Sequence, residues 1–155
     1  MKKNFVHLLN GKSANVGNFA LKSGAEYLLG KYLNFNIDWT YEHWDDYSFL
    51  QKKFDNDFVK LINSKDALLV SGAVAFNGRS YYSNTGNRFD MPIPLLKKIK
   101  KPIIFFGLSY RVWSNKNYKH LDKLNEFLEF IKNSPNIILA LRNDGTYEWM
   151  SNLLN

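Results

Sequence analysis

The sequence predicts an α/β fold, with an open, mostly parallel Rossmann-like sheet and helices on both of its faces. Short apolar runs rich in β-branched and aromatic residues alternate with longer segments of helical periodicity, which is typical of repeated β-α units. Two of the runs, around Val70 and Phe106, are apolar at successive positions, as expected for strands that are covered on both sides. The length of 155 residues suits one domain.

The predicted strands and helices follow from these two periodicities. Apolar runs predict strands at residues 4–9, 35–39, 67–71, 103–106 and 137–141. Apolar residues recur every three or four positions in the segments between them, which predicts helices at residues 19–33, 54–62 and 121–131. The one long irregular stretch, residues 72–94, is expected to be either functional or mobile.

The composition is that of a folded protein without disulfides, since hydrophobic residues make up 45%, charged residues 23%, and cysteine is absent. The net charge of +7 favours an anionic partner. The densest lysine cluster, residues 97–101, is interpreted as a solvated helix end, so a nucleic acid is not the expected partner. No apolar run approaches the ~18 residues of a membrane span and no signal peptide is recognisable, so we expect a cytoplasmic protein.

Small and polar residues are concentrated where each predicted strand leads into the following helix. In a parallel sheet these loops share the carboxyl edge, where open α/β folds bind ligands. The four loops start at Asn10, Ser71, Gly107 and Arg142, and the first and fourth lead into helix N-termini, which attract anions. The candidate binding residues in these loops are Asn15, Gly17, Asn18, Gly72, Ser109, Arg111, Arg142 and Thr146.

Common cofactor and metal motifs are incomplete in this sequence. Gly11-Lys12-Ser13 matches the end of a phosphate-binding loop, but Val6 stands where that motif needs its first glycine. The first strand is not followed by G-x-G-x-x-G, which argues against a nicotinamide enzyme. The stretch His43-Trp44-Asp45-Asp46 is interpreted as a solvated loop. We therefore expect neither a cofactor nor a metal.

Four blocks of sequence, in order, are more informative than any single motif. They are Asn15-Val16-Gly17-Asn18, residues 66–72, residues 101–107, and Leu141-Arg142 with Thr146 four residues beyond Arg142. Together they resemble the successive blocks of the polysaccharide pyruvyl transferase family over nearly the whole chain. The resemblance implies transfer of a pyruvyl group from phosphoenolpyruvate to sugar hydroxyls as a ketal, in the biosynthesis of an exopolysaccharide or another surface polysaccharide.

The resemblance also implies a domain organisation. Family members have two Rossmann-like domains facing each other across a cleft, as in GT-B glycosyltransferases, and residues 1–155 resemble the N-terminal one. We expect the second domain to be absent and this chain alone to be incomplete, so that it needs a second domain or a partner chain. The sequence departs from the family after the third strand, where Gly72 stands alone and family members carry two or three glycines.

Arg142 is the strongest candidate for binding an anion. A guanidinium directly after a buried strand can hold a carboxylate or a phosphate through paired hydrogen bonds, and phosphoenolpyruvate carries both groups. The resemblance places Thr146 in the hydroxyl position of the same block. The alternative for Arg142 is a structural ion pair with Asp144 or Glu148, and Arg111 is expected to be solvated.

Several roles remain open. Asn15, Gly17 and Asn18 can form a turn and helix cap, bind sugar or phosphate, or do both. Pyruvyl transfer needs an acid for the enol carbon and a base for the sugar hydroxyl, and no residue is assigned to either task. His7 is expected to be a core residue with a satisfied hydrogen bond. Two other functions are a non-catalytic sugar- or phosphate-binding or interaction domain, and one half of a GT-B glycosyltransferase.

Overall fold

The computed structural model describes residues 1–10, 15–48, 51–72, 74–111 and 117–154. Strands and helices alternate along these residues. The strands are β1 (Lys2–Leu9), β2 (Asn36–His43), β3 (Ala67–Ser71), β4 (Val74–Phe76), β5 (Ile103–Tyr110) and β6 (Ile137–Leu141). The helices are α1 (Val16–Tyr32), α2 (Trp44–Ser48), α3 (Asn56–Asn63), α4 (Ile93–Leu96), α5 (Leu121–Lys132) and α6 (Thr146–Leu154).

The described strands form one parallel sheet. Its order is β2-β1-β3-β5, with β6 also beside β5. The short strand β4 pairs with Ser109 and Tyr110, beyond the part of β5 that pairs with β3. The predicted α/β class and the open, mostly parallel sheet are therefore confirmed.

Helices cover both faces of this sheet. His7, Leu69 and Ile104 lie in register on one face, where the His7 ring contacts Glu26 of α1. Because side chains alternate along a strand, Phe105 points to the opposite face, and its ring lies edge-on to Phe127 of α5 at 6.0 Å. The larger hydrophobic core lies on that second face, among α2, α3, α4, α5 and the sheet.

The third predicted loop, residues 107–111, is wrong in its bounds because β5 continues to Tyr110. Gly107 adopts a φ of 65°, and the register with β6 shifts between Phe106 and Leu108. A glycine in this conformation forms a bulge within the strand, so a strand exit was the wrong interpretation of Gly107. Ser109 therefore lies in a strand and is held by the sheet.

The irregular stretch of the sequence is packed into the fold. It contains β4 and α4, and in the segment between them the side chains of Tyr82, Phe89 and Met91 are buried. Asp90 stabilises this segment, because its Oδ1 accepts hydrogen bonds from the backbone N–H groups of Asn84 and Thr85, each at 2.9 Å. Local polar contacts and buried aromatic rings thus replace regular periodicity here.

No helix in the described ranges is long and apolar enough to cross a membrane.

Candidate functional site

A cleft opens where the direction of strand addition in the sheet reverses. From β1 the chain passes to β2 on one side, and β3 then lies on the other side of β1. The loops after β1 and β3 diverge at such a point and leave a crevice at the carboxyl edge. The cleft, here called the switch-point cleft, measures about 730 Å³. It is lined by Asn10, Asn15, Gly17, Asn18, Ala20, Leu21, Val74, Asn77, Arg88, Ser109 and Arg142.

The N-terminus of α1 forms one side of the switch-point cleft. Asn15 is the N-cap, and its side-chain oxygen accepts a hydrogen bond from the Gly17 N–H at 2.9 Å. The Asn18 N–H donates to the Asn15 carbonyl at 3.0 Å. The cap orients the positive end of the 17-residue helix at the cleft. The predicted helix cap is present, but it lies at Asn15 and not at the end of the predicted loop, so Gly17 and Asn18 belong to the first turn of α1. The preceding residues 11–14 of the same loop lie outside the described ranges.

Arg142 enters the cleft from the end of β6. Its backbone N–H donates to the Leu108 carbonyl at 3.0 Å, which fixes the main chain to the sheet. Its side chain is 54% exposed, and Nε lies 3.7 Å from Oδ2 of Asp144. An exposed ion pair of this length contributes at most about 1 kcal/mol. The guanidinium therefore has a structural partner but is still accessible to a ligand.

Arg88 lines the cleft although it was not among the predicted site residues. Its NH2 donates to Asp45 at 2.8 Å, its Nε donates to Ser48 at 3.0 Å, and its guanidinium lies 5.4 Å from the Trp44 ring centre. These partners are about 40 residues distant in sequence, so no local pattern identifies the position. Asp45 neutralises the charge, which leaves Arg142 as the more available cation.

Asn77 lines the cleft and has a side-chain oxygen without a hydrogen-bond partner among the described residues. Its Nδ2 donates to the Val74 carbonyl at 3.4 Å. Within the part of the chain that the structure describes, its buried Oδ1 has no hydrogen-bond partner. A buried acceptor without a partner costs free energy, and a ligand hydroxyl would satisfy it. Asn77 was also missed from the sequence, where it lies in the irregular stretch at residues 72–94.

The cleft brings together five of the eight predicted site residues: Asn15, Gly17, Asn18, Ser109 and Arg142. Three others lie outside its lining. Gly72 has a φ of 67° at the end of β3. The Thr146 hydroxyl accepts from the Tyr110 N–H at 2.8 Å and donates to Asp144, so it is engaged within the protein. The main-chain N–H of Arg111 donates to the Phe76 carbonyl at 3.0 Å.

A buried polar network ties α1 to the strands beside the cleft. His7 is fully buried, with Nδ1 2.9 Å from Glu26 and Nε2 hydrogen-bonded to the Ser71 hydroxyl. Glu26 also accepts from Lys22 at 2.8 Å. Burial lowers the pKa of His7 to about 4, although the nearby Glu26 carboxylate acts in the opposite direction. The expectation of a core histidine with satisfied hydrogen bonds is confirmed.

Across the described residues, no group of three or more His, Asp or Glu side chains is arranged to hold a metal ion. The lining of the switch-point cleft consists of amides, one hydroxyl, two guanidinium groups and apolar side chains. Its chemistry therefore suits hydrogen bonding to hydroxyl and anionic groups.

The parallel sheet, with a cleft at its carboxyl edge, defines a Rossmann-like α/β protein. The family model of polysaccharide pyruvyl transferases matches residues 15–155, which include every described residue of the cleft lining except Asn10. The chain belongs to that family. Comparison with curated proteins and with solved structures gives no match.

Proposed function

We propose that the switch-point cleft binds phosphoenolpyruvate, as the donor of a pyruvyl group that is transferred to a sugar of a surface polysaccharide. The observation that carries this proposal is the position of the half-exposed Arg142 in the same cleft as the N-terminus of α1. A guanidinium and a positive helix end are the two protein elements best suited to a small dianion. Family membership supplies the reaction class.

The chemistry assigns different tasks to the cleft residues. Arg142 would hold the carboxylate or the phosphate through paired hydrogen bonds, with the α1 N-terminus beside the other anionic group. Asn77 Oδ1 would accept a hydrogen bond from an acceptor hydroxyl. In the overall reaction C3 of phosphoenolpyruvate gains a proton, two sugar oxygens bond to C2, both hydroxyl protons are released, and the C2–O bond to phosphate breaks.

We further propose that the proton-transfer groups come from a second domain or a partner chain. The described lining of the cleft contains no His, Asp, Glu, Lys or Tyr, and these are the side chains that most often exchange protons in catalysis. The same observation favours a second candidate function, which is binding of the donor and the sugar without transfer. Release of phosphate from phosphoenolpyruvate in the presence of sugars by the purified chain would refute the need for a second domain or partner chain.

Calorimetric titration with phosphoenolpyruvate tests donor binding. A charge-assisted hydrogen bond contributes about 1.5–3 kcal/mol, so Arg142→Ala should weaken binding by roughly 10- to 150-fold. Arg142→Lys should restore only part of the loss, because an ammonium group lacks the planar pair of donors. Arg79→Ala removes the same charge from a residue that is neither in the cleft lining nor among the candidate binding residues, and it serves as the matched control.

Thermal melting of the same variants separates ligand binding from the alternative structural role of Arg142. A purely structural pair with Asp144 predicts a lower melting temperature for Arg142→Ala with unchanged affinity. Equal affinity of wild type and Arg142→Ala for phosphoenolpyruvate would refute the donor-binding proposal.

A further inference from the structure

A second cavity, here called the aromatic pocket, lies beside the switch-point cleft and shares Arg88 with it. It is enclosed by α2 and the residues after it on one side and by the segment between β4 and α4 on the other. Its volume is about 460 Å³, within the roughly 300–1,000 Å³ typical of small-molecule pockets. Its lining is Tyr47, Ser48, Lys53, Phe54, Tyr81, Tyr82, Asn84, Arg88, Asp90 and Pro92.

Aromatic rings form most of the apolar wall. Tyr47 and Phe54 stack with their centroids 4.2 Å apart and their planes inclined by 9°. Tyr81 and Tyr82 meet edge to face at 4.6 Å. Tyr82 is buried and holds the pair in place, whereas Tyr81 is 59% exposed. The pocket thus presents one partly exposed ring, Tyr81, packed edge to face against the buried Tyr82.

Polar groups lie at fixed positions around these rings. Asp90 Oδ2 accepts from Asn84 Nδ2 at 3.0 Å and, as a carboxylate oxygen, can accept a second hydrogen bond. The Asn84 side-chain carbonyl is also an acceptor. Arg88 is held by Asp45 and Ser48, so its charge is already balanced. The pocket therefore combines apolar surface with acceptors from Asp90 and Asn84 and donors from Lys53 and Arg88.

This combination suits a ligand with one apolar face and several hydroxyl groups, because Lys53 and Arg88 can donate hydrogen bonds and Asp90 and Asn84 can accept them. A purely apolar ligand would leave these polar groups without hydrogen-bond partners. A pyranose ring has C–H groups on its faces and hydroxyl groups at its edge. We propose that the aromatic pocket binds a sugar ring of the polysaccharide acceptor, next to the ring that is modified in the switch-point cleft.

Arg88 forms a wall that the aromatic pocket and the switch-point cleft share, so the two cavities are neighbours. Since Arg88 lines both cavities, a disaccharide can place one ring against Tyr81 and the next ring in the cleft, where Asn77 offers an acceptor. The proposal rests on the proposed function, because it assumes that the acceptor is a saccharide. It adds a requirement for at least two linked rings, which would let the protein recognise a chain and reject single sugars.

Binding of saccharides of increasing length tests the proposal. The probes are methyl β-D-glucopyranoside, cellobiose, cellotriose and lactose. Their binding is measured by calorimetry and by NMR of the tyrosine ring signals. We expect at least one probe with two or more rings to shift the Tyr81 and Tyr82 signals and to bind more tightly than the monosaccharide. An aromatic contact corresponds to roughly three- to tenfold in affinity, so Tyr81→Ala should weaken this binding by about that factor.

Matched variants distinguish the two proposals. Tyr27→Ala removes a tyrosine that is 65% exposed on α1, away from both cavities, and should leave saccharide binding unchanged. Tyr81→Phe keeps the ring and should retain most of the affinity. Tyr81→Ala should leave phosphoenolpyruvate binding unchanged, whereas Arg142→Ala should weaken it and spare saccharide binding at the pocket.

Three results would overturn the inference: no shift of the Tyr81 and Tyr82 signals with any saccharide, equal loss of affinity in Tyr81→Ala and Tyr27→Ala, or binding of indole or adenosine in preference to every saccharide. If the protein binds no phosphoenolpyruvate but binds saccharides as expected, the donor-binding proposal is refuted and the saccharide proposal is not.

Discussion

Acidification should destabilise this protein through His7. The ring is fully buried between β2 and α1, where Trp39, Tyr41, Glu26 and Lys22 surround it, and it is hydrogen-bonded to Ser71 on β3. Burial lowers its pKa in the folded protein from 6.5 to about 4. Between these two values the unfolded chain binds a proton that the folded protein excludes. Unfolding is therefore favoured as the pH falls through this interval.

The size of the effect follows from the two pKa values. They differ by about 2.5, and each unit corresponds to roughly 1.4 kcal/mol, so the largest loss is about 3 kcal/mol. This contribution is fully present above pH 6.5 and is lost as the pH approaches 4. Because small domains are stable by about 5–15 kcal/mol, the loss should be easy to measure.

Urea unfolding followed by circular dichroism at several pH values between 7 and 4.5 measures the effect. Surface carboxylates also titrate in this range, so the informative quantity is the difference between wild type and His7→Gln. Glutamine can keep hydrogen bonds to Glu26 and Ser71 but takes up no proton. Wild type should lose more stability on acidification than His7→Gln, and parallel pH profiles for the two proteins would refute the reasoning.

The remaining predictions concern the segment between β4 and α4 and the shared wall. Gly86→Ala should cost at least about 2 kcal/mol, because Gly86 has a φ of 65° and a new Cβ would lie 2.4 Å from the His120 carbonyl. Gly24→Ala in α1 has open space and should stabilise the protein by about 0.5–1 kcal/mol, and equal urea midpoints for the two variants would contradict both expectations. Arg88→Ala removes charged hydrogen bonds to Asp45 and Ser48 and should lower the unfolding free energy by about 2–3 kcal/mol, whereas an unchanged urea midpoint would show that these bonds contribute nothing.

The parts of the fold that follow local rules were predictable from the sequence. The apolar run at residues 137–141 predicted β6 with the bounds that the structure shows. The polar residues 15–18 indicated a helix cap, although the structure places it at Asn15, three residues earlier than the predicted end of the loop. Arg142 was placed at the carboxyl edge by the general rule for parallel sheets. In each case a period or a cap within a few residues determines the structure.

The parts that depend on distant contacts were not predictable. No residue near Arg88 in the sequence predicts its hydrogen bond to Asp45. Tyr81 is part of a pocket only because the fold brings Phe54 and Tyr47 opposite to it. Thr146 was predicted to bind a ligand from its position in a family block, and the structure adds that its hydroxyl bonds to the Tyr110 N–H and to Asp144. Local residue type cannot distinguish these uses of a polar side chain.

The two arginines explain how neighbouring cavities can favour different ligands. Arg88 is only 13% exposed and is paired with Asp45 at 2.8 Å. It therefore forms part of the wall between the two cavities and adds little net charge to either. Arg142 is 54% exposed and 3.7 Å from Asp144, so most of its interaction energy is available to an incoming anion. A sugar ring held in the aromatic pocket would then position the next ring of the acceptor in the switch-point cleft, beside an anionic donor held by Arg142, and such positioning of two reactants is what a transfer reaction requires.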